Sequence, residues 1–144
     1  MNNRLLLLLM LLSCSVYADP LHLTTQEKTY TFDVEIANTP ETAQKGLMYR
    51  TYIPDFTGML FTDTLDKTWY MWMKNTPTSL DMIFFNRQGN IVKIIQHTQP
   101  YSLSILSSDK PVAGVLEVVA GTVQKLNITI GDKLTIPHLT PQKD

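Results

Sequence analysis

Along the chain, apolar positions fall in short runs of period two, separated by Gly, Pro, Asn and Asp. This is the pattern of half-buried strands joined by tight turns. Residues 29–36 alternate strictly, with Tyr30, Phe32, Val34 and Ile36 on one face and Thr31, Asp33 and Glu35 on the other; an antiparallel strand with one wet side follows. Asn38-Thr39-Pro40-Glu41 opens a helix: Thr39 is a good N-cap, Pro40 sits where its missing N–H costs nothing, and Glu41 meets the positive end of the dipole. The helix is expected to run to about Tyr49, with Ala43 and Leu47 inward and Glu41 and Lys45 paired outside. Gly46 would weaken it by ~1 kcal/mol relative to Ala, which points to close packing against a strand.

Arg50 ends that helix, and residues 51–58 form a loop. Residues 58–62 and 67–73 read as two strands joined by an acidic turn at 63–66. Within 69–73, Trp69, Met71 and Met73 alternate with Tyr70 and Trp72, so both faces are bulky and burial on both sides is expected. Residues 81–85 and 91–97 form a hairpin around a loop with Gly89 at a positive-φ position. Residues 100–111 are a longer loop whose Leu103, Ile105 and Leu106 should fold back over something. Residues 114–119 are a strand enclosing Glu117. Residues 121–126 make one helical turn ended by Asn127 in the left-handed conformation, and 128–130 and 133–136 are short strands around Gly131 and Asp132. The chain is therefore expected to be mainly β, a small antiparallel β-barrel or closed sandwich of about seven to eight short strands with one flanking α-helix.

Residues 1–18 break this pattern. Arg4 precedes an unbroken apolar run over 5–12, and Val16 and Ala18 stand at minus three and minus one of a cut before Asp19. This is the three-part form of a secretory signal peptide, too short to span a bilayer, and it predicts an exported, periplasmic protein. Leu11-Leu12-Ser13-Cys14 offers an alternative, a lipoprotein anchored through Cys14; Leu12 fits that motif poorly and the site after Ala18 fits well. The chain then divides into the signal peptide, an N-terminal lead at 19–27, a single β-rich domain at 28–136 and a polar C-terminal tail at 137–144. Cys14 is the sole cysteine, so the exported domain has neither disulfide nor thiol nucleophile. Without Arg4 the balance is eleven basic to thirteen acidic side chains, with signs interspersed. No basic footprint for nucleic acid and no polybasic membrane patch results, and the mature chain has no transmembrane span.

Gly46-Leu47-Met48-Tyr49-Arg50, Gly58-Met59-Leu60-Phe61, Trp72-Met73-Lys74-Asn75-Thr76, Leu80-Asp81, Gly89, Leu116-Glu117 with Gly121, and Ile130-Gly131-Asp132 occur in that order. The order resembles the "domain of unknown function 192" family of mostly bacterial and archaeal proteins, over about residues 28–136. The resemblance implies a compact, mainly β, barrel-like domain with a flanking helix, often exported, and implies no established activity. Met71 stands where Phe is usual and Asn127 where Gly is usual; neither change removes a polar group.

The polar residues in those motifs define the candidate ligand site: Arg50, Lys74, Asn75, Thr76, Asp81 and Glu117, with Trp72 beside them. Lys74 and Asp81 flank apolar strands and Glu117 lies inside one, so some charges must be enclosed and need partners or shifted pKa values. In the functional arrangement Arg50 and Lys74 hold a small anionic or polar ligand, Asn75 and Thr76 orient it, and Asp81 and Glu117 are counter-charges. In the plainer arrangement, the heavier of the two, Arg50 and Lys74 pair with Glu117 and Asp81 as a structural network. Trp69, Tyr70 and Trp72 serve core packing before sugar or base stacking. Met48, Met59, Met71, Met73 and Met82 raise copper(I), but core filling accounts for them better. His22, His97 and His138 lie apart, without zinc spacing, so no metal and no cofactor is expected. Nucleophile elbow, phosphate loop and dinucleotide fingerprint are missing from the sequence. The reading is a non-catalytic small-ligand-binding or accessory module of the envelope. The alternatives are an acid/base hydrolase or isomerase using Asp81 or Glu117, and a protein-interaction domain with an envelope partner, using the 100–111 loop or a strand edge.

Overall fold

A computed structural model describes residues 19–136; the signal-peptide and Cys14 readings and the C-terminal tail lie outside the described residues. Nine strands and two short helices follow in the order β1 Asp19–Thr24, β2 Thr29–Ala37, α1 Pro40–Lys45, β3 Thr57–Lys67, β4 Tyr70–Met71, β5 Leu80–Phe85, β6 Ile91–Ile95, β7 Leu106–Ser107, β8 Val112–Val119, α2 Thr122–Lys125 and β9 Lys133–Thr135. Seven strands form one curled sheet in the order β6-β5-β8-β3-β2-β1-β9, and β4 and β7 form a second, two-stranded ribbon. An Asn90–Lys133 bridge joins the two ends of the large sheet at one corner. Backbone bonds from Ile91 N–H to Asp132 O (2.8 Å) and from Leu134 N–H to Gly89 O (2.7 Å) reinforce the join. Gly89 permits it, since its φ is +84° and a Cβ there would stand 2.1 Å from Leu134 O.

The mainly β, barrel-like expectation holds, and the differences have physical causes. The lead at 19–27 contains a strand: Leu21 and Leu23 are fully buried and lie in β1, which pairs with β2 and β9. Two apolar residues at period two were too short a signal against their Thr and His neighbours. The sheet is not wholly antiparallel, because β2 and β3 run parallel; α1 and the loop after it supply the long crossover that parallel neighbours need. Residues 63–66 do not turn but continue β3, with a register irregularity between Thr62 and Lys67. The 69–73 segment is buried on one face only, since Tyr70 and Trp72 are exposed while Trp69, Met71 and Met73 are buried. Residues 128–130 form a turn held by Thr129 N–H on Asp132 Oδ2 (2.7 Å) rather than a strand. Leu103 and Ile105, expected to fold back, are exposed.

Helix α1 begins as expected. The Thr39 hydroxyl accepts from Thr42 N–H and the Thr42 hydroxyl accepts from Thr39 N–H, a capping box with Thr at N3. It stops at Lys45 because Gly46 takes φ +48°, ψ −133°, a conformation open to glycine alone. A Cβ at Gly46 would already touch the Phe61 ring at 3.3 Å.

Two apolar cores lie on opposite faces of the large sheet. The inward one gathers Leu21, Leu23, Phe32, Val34, Leu60, Ile83, Leu116, Val118 and Leu134. The outward one packs Met59, Phe61, Met82, Phe84 and Val115 against Leu47, Ile53, Trp69, Met71 and Met73 of the covering layer. Successive residues of a strand serve opposite cores, which decides where each polar side chain goes.

Candidate functional site

Asp81 and Glu117 illustrate the split. In the β5–β8 register Asp81 lies opposite Val118 and Met82 opposite Glu117. Asp81 thus shares the face of Ile83 and Val118, while Glu117 shares that of Met82 and Val115. The two carboxyls stand on opposite faces and cannot share a substrate.

Asp81 is fully buried, and both of its oxygens are engaged. Its Oδ1 accepts from His97 N–H (3.0 Å), and its Oδ2 accepts from Gly121 N–H (3.0 Å) and Val123 N–H (2.9 Å). The carboxylate thereby ties the end of β6 to the start of α2, a structural post whose burial leaves no face for a ligand.

Glu117 is different. It is 4 % exposed, and no hydrogen bond or ion pair reaches its carboxyl among the described residues. Burial alone pushes its pKa up from 4.5 to about 8, so at neutral pH it is a protonated acid. It occupies one cross-strand row, Glu35–Met59–Glu117–Met82, running over β2, β3, β8 and β5, with a thioether on either side. Above it opens a cleft of about 30 Å³ between the α1–Gly46–Met48 segment and the Met71–Trp72 strand, walled by Phe61 and Leu80 and edged by Lys45 and Thr76. Such a volume holds about two waters.

Arg50 does not reach Glu117 or Asp81. Its guanidinium grips Glu35 through both nitrogens, with Nη2 donating to Oε2 at 2.8 Å, and this bidentate pair holds the Glu35 carboxyl below the usual carboxylate range and raises Arg50. Its backbone carbonyl accepts from the Thr78 hydroxyl (2.6 Å). Lys74 is exposed and lies over the Trp72 ring, 5.0 Å from its centroid. Thr76 is buried and gives its hydroxyl proton to Lys74 O (2.9 Å). Asn75, at φ +50°, donates to the Tyr49 hydroxyl (2.9 Å). The structure therefore gathers Trp72, Thr76 and Glu117 at one cleft, leaves Lys74 and Asn75 beside its mouth, and sends Arg50 and Asp81 elsewhere. Neither the ionic arrangement expected from Arg50 nor the paired-carboxyl one forms.

Residues 74–76 are a hub. Tyr49 N–H donates to Asn75 O (2.8 Å), Tyr101 N–H to Thr76 O (3.1 Å) and Met73 N–H to Ser102 O (3.0 Å). Tyr49 (φ +65°) and Tyr101 (φ +62°) are left-handed as well, a costly state for bulky residues that the surrounding bonds must enforce. These two tyrosines, with Lys45, Gly46 and Met48 at the cleft, were missed by sequence reasoning. Gly46 alone carried a signal, a glycine placed inside a helical pattern.

A larger concavity, about 750 Å³, lies elsewhere, between Asp63, Phe85, Arg87, Lys133 and Ile136. It holds none of the expected site residues and runs to the last described one. Among the described residues no group of three or more His, Cys, Asp or Glu could hold a metal ion, and no helix is long and apolar enough to cross a membrane.

A family model, DUF192 ("Uncharacterized ACR"), matches residues 21–136. A crystal structure of a Sinorhizobium meliloti 1021 protein, which carries a provisional assignment as a transcription regulator, superposes with a TM-score of 0.80 at 40 % identity, covering 83 % of this chain and 95 % of that one. A protein of unknown function from Novosphingobium aromaticivorans DSM 12444 gives 0.78 at 33 % identity, covering 81 % and 83 %. No curated protein matches the chain.

Proposed function

Since the chain belongs to the family of the domain of unknown function 192, which supplies a fold and no activity, we propose a function from its own geometry: an exported module of the bacterial envelope that binds a small ligand at the Glu117 cleft. Export rests on the signal-peptide pattern of residues 1–18. Binding rests on one observation, a glutamate residue 4 % exposed whose carboxyl has no protein partner among the described residues and which lines a cleft. An unpartnered buried acid costs stability, and a ligand that completes its hydrogen bonds gives it a use. Catalysis is the weaker reading because the neighbours are spent: Asp81 on three amides, Arg50 on Glu35 and the Thr76 hydroxyl proton on a carbonyl. General acid/base work with Glu117 would lack a second group. A role in transcription is not carried over, because twelve basic and thirteen acidic side chains leave no excess positive charge to meet phosphates.

A second reading has its own observation. In the β4–β7 ribbon Tyr70 stands opposite Ser107 and Met71 opposite Leu106, and exposed Tyr70, Trp72, Leu103 and Ile105 cluster around it, a surface suited to an envelope protein partner.

Native and denatured mass spectrometry of the protein isolated from its host envelope tests all three points. The denatured mass distinguishes a chain starting at Asp19 from one lipidated at Cys14. A bound mass lost in Glu117→Gln supports the cleft, and one kept by that variant but lost in Leu103→Ser/Ile105→Ser moves the interface reading ahead. A bare chain overturns ligand retention.

A further inference from the structure

Three features of the cleft narrow what it takes. Glu117 is the sole ionisable group on its floor, and the walls are Phe61, Leu80 and Met71. Met59 and Met82 flank it in the cross-strand register, so β3 and β5 present no charge there. At the rim, Lys45 from the end of α1 lines the opening, and Lys74, from the turn after β4, lies against Trp72. Farther along the row, Glu35 of β2 is already neutralised by Arg50. The floor therefore has an acid without a cation, although every other described buried or half-buried carboxylate in this layer has a donor.

We propose that the ligand presents a protonated primary amine to Glu117 and carries a neutral or anionic group at its other end; the inference rests on the reading of this cleft as a ligand site. An ammonium supplies the counter-charge that the protein withholds, and its N–H donors meet both carboxyl oxygens. Size agrees, because a cleft that holds about two waters admits an ammonium and its first methylene. The aromatic at the mouth agrees as well: the Trp72 ring already attracts the Lys74 ammonium at 5.0 Å, which shows its face disposed to cations. The thioethers of Met48 and Met71 give a short alkyl chain a soft wall. Lys45 and Lys74 at the rim then disfavour a second positive charge and favour an anion. As the ammonium seats, the Glu117 carboxyl loses its proton to solvent and the carboxylate stays paired with the ligand, one proton released for each ligand bound.

The test is isothermal titration of the chain from residue 19, at several pH values and in two buffers of different ionisation enthalpy. The probes are 4-aminobutyrate, n-butylamine, 1,4-diaminobutane, butyrate and acetamide. We expect 4-aminobutyrate and butylamine to bind one to one with release of about one proton near pH 6. Affinity should rise about tenfold from pH 6 to pH 7 and level off above pH 8, with 1,4-diaminobutane weaker and butyrate silent. Glu117→Gln should lose at least about tenfold in amine affinity and all of the pH dependence, and Trp72→Leu, an exposed site that spares the core, should weaken amines several-fold. Amine binding that persists in Glu117→Gln, or that releases no proton, overturns the proposal. Acetamide binding lost in Glu117→Gln without amine binding keeps the cleft as a ligand site and ends the amine class. Silence of every probe ends the amine class, and a bare native mass besides ends the binding reading with it.

Discussion

Replacing Glu117 by Gln removes a titrating proton while keeping size and polarity, and the structure fixes the sign of the result. In the unfolded chain this carboxyl titrates near 4.5; in the folded protein burial pushes it up to about 8. Between those values the native state holds a proton that the unfolded state has released, so wild-type stability falls as pH rises through the window. The contribution is fully present below 4.5, is lost progressively towards 8, and is flat beyond. One pKa unit is worth about 1.4 kcal/mol, so the stability advantage of the Gln variant should grow by about 4 kcal/mol between pH 4 and pH 8.5, and by about 3 kcal/mol by pH 7. Urea unfolding of both proteins, followed by tryptophan fluorescence at matched pH values, measures that difference directly. Subtraction cancels the other carboxylates and histidines, which the two chains share. A difference that stays flat with pH would refute the reasoning, since it would mean that the carboxyl is hydrated or paired in solution.

Two further outcomes follow from the frame around the cleft. Asp81→Ala strands the amides of His97, Gly121 and Val123; at about 1–3 kcal/mol for each buried donor, the loss should exceed about 4 kcal/mol and leave the domain marginal or unfolded by circular dichroism, and a loss below about 1 kcal/mol would show that those amides find water. Gly46→Ala forces φ +48° on a residue with a Cβ, 3.3 Å from the Phe61 ring; we expect about 2–3 kcal/mol of destabilisation by urea midpoint, and an unchanged midpoint would refute the claim that glycine is required to shape the cleft.

Period-two patterning was legible wherever a strand has one wet face or a long apolar run, which is why β2, β5, β6 and β8 were placed within a residue or two. It failed where tertiary pairing overrode local signs. Asp63 and Asp66 read as a turn, yet β8 and the side chains of Lys67 and Arg87 hold them in an irregular extension of β3. Residues 69–73 carry bulk at every position, and only the position of the covering layer decides that Tyr70 and Trp72 face out. At the site, sequence order identified the polar residues but not their partners. A strand of known residues gives the face of each side chain relative to its neighbours in that strand, not which of two adjacent strands is in phase with it. Asp81 and Glu117 therefore looked like companions until the β5–β8 register set them on opposite faces. Arg50 was matched to the wrong carboxyl for a related reason, since Glu35 sat on the face of β2 read as solvent-facing.

The pairing of β1 with β9, Leu23 opposite Leu134, governs when this fold can close. The two strands are the first and last described elements, so their contact encloses nearly the whole domain in one loop, whose closure entropy is spent before the pairing returns anything. A chain emerging N-terminus first leaves the outer edge of β1 open until residues 133–135 arrive. Closure is thus a late event, timed by the arrival of residues 133–135 and not by the early strands.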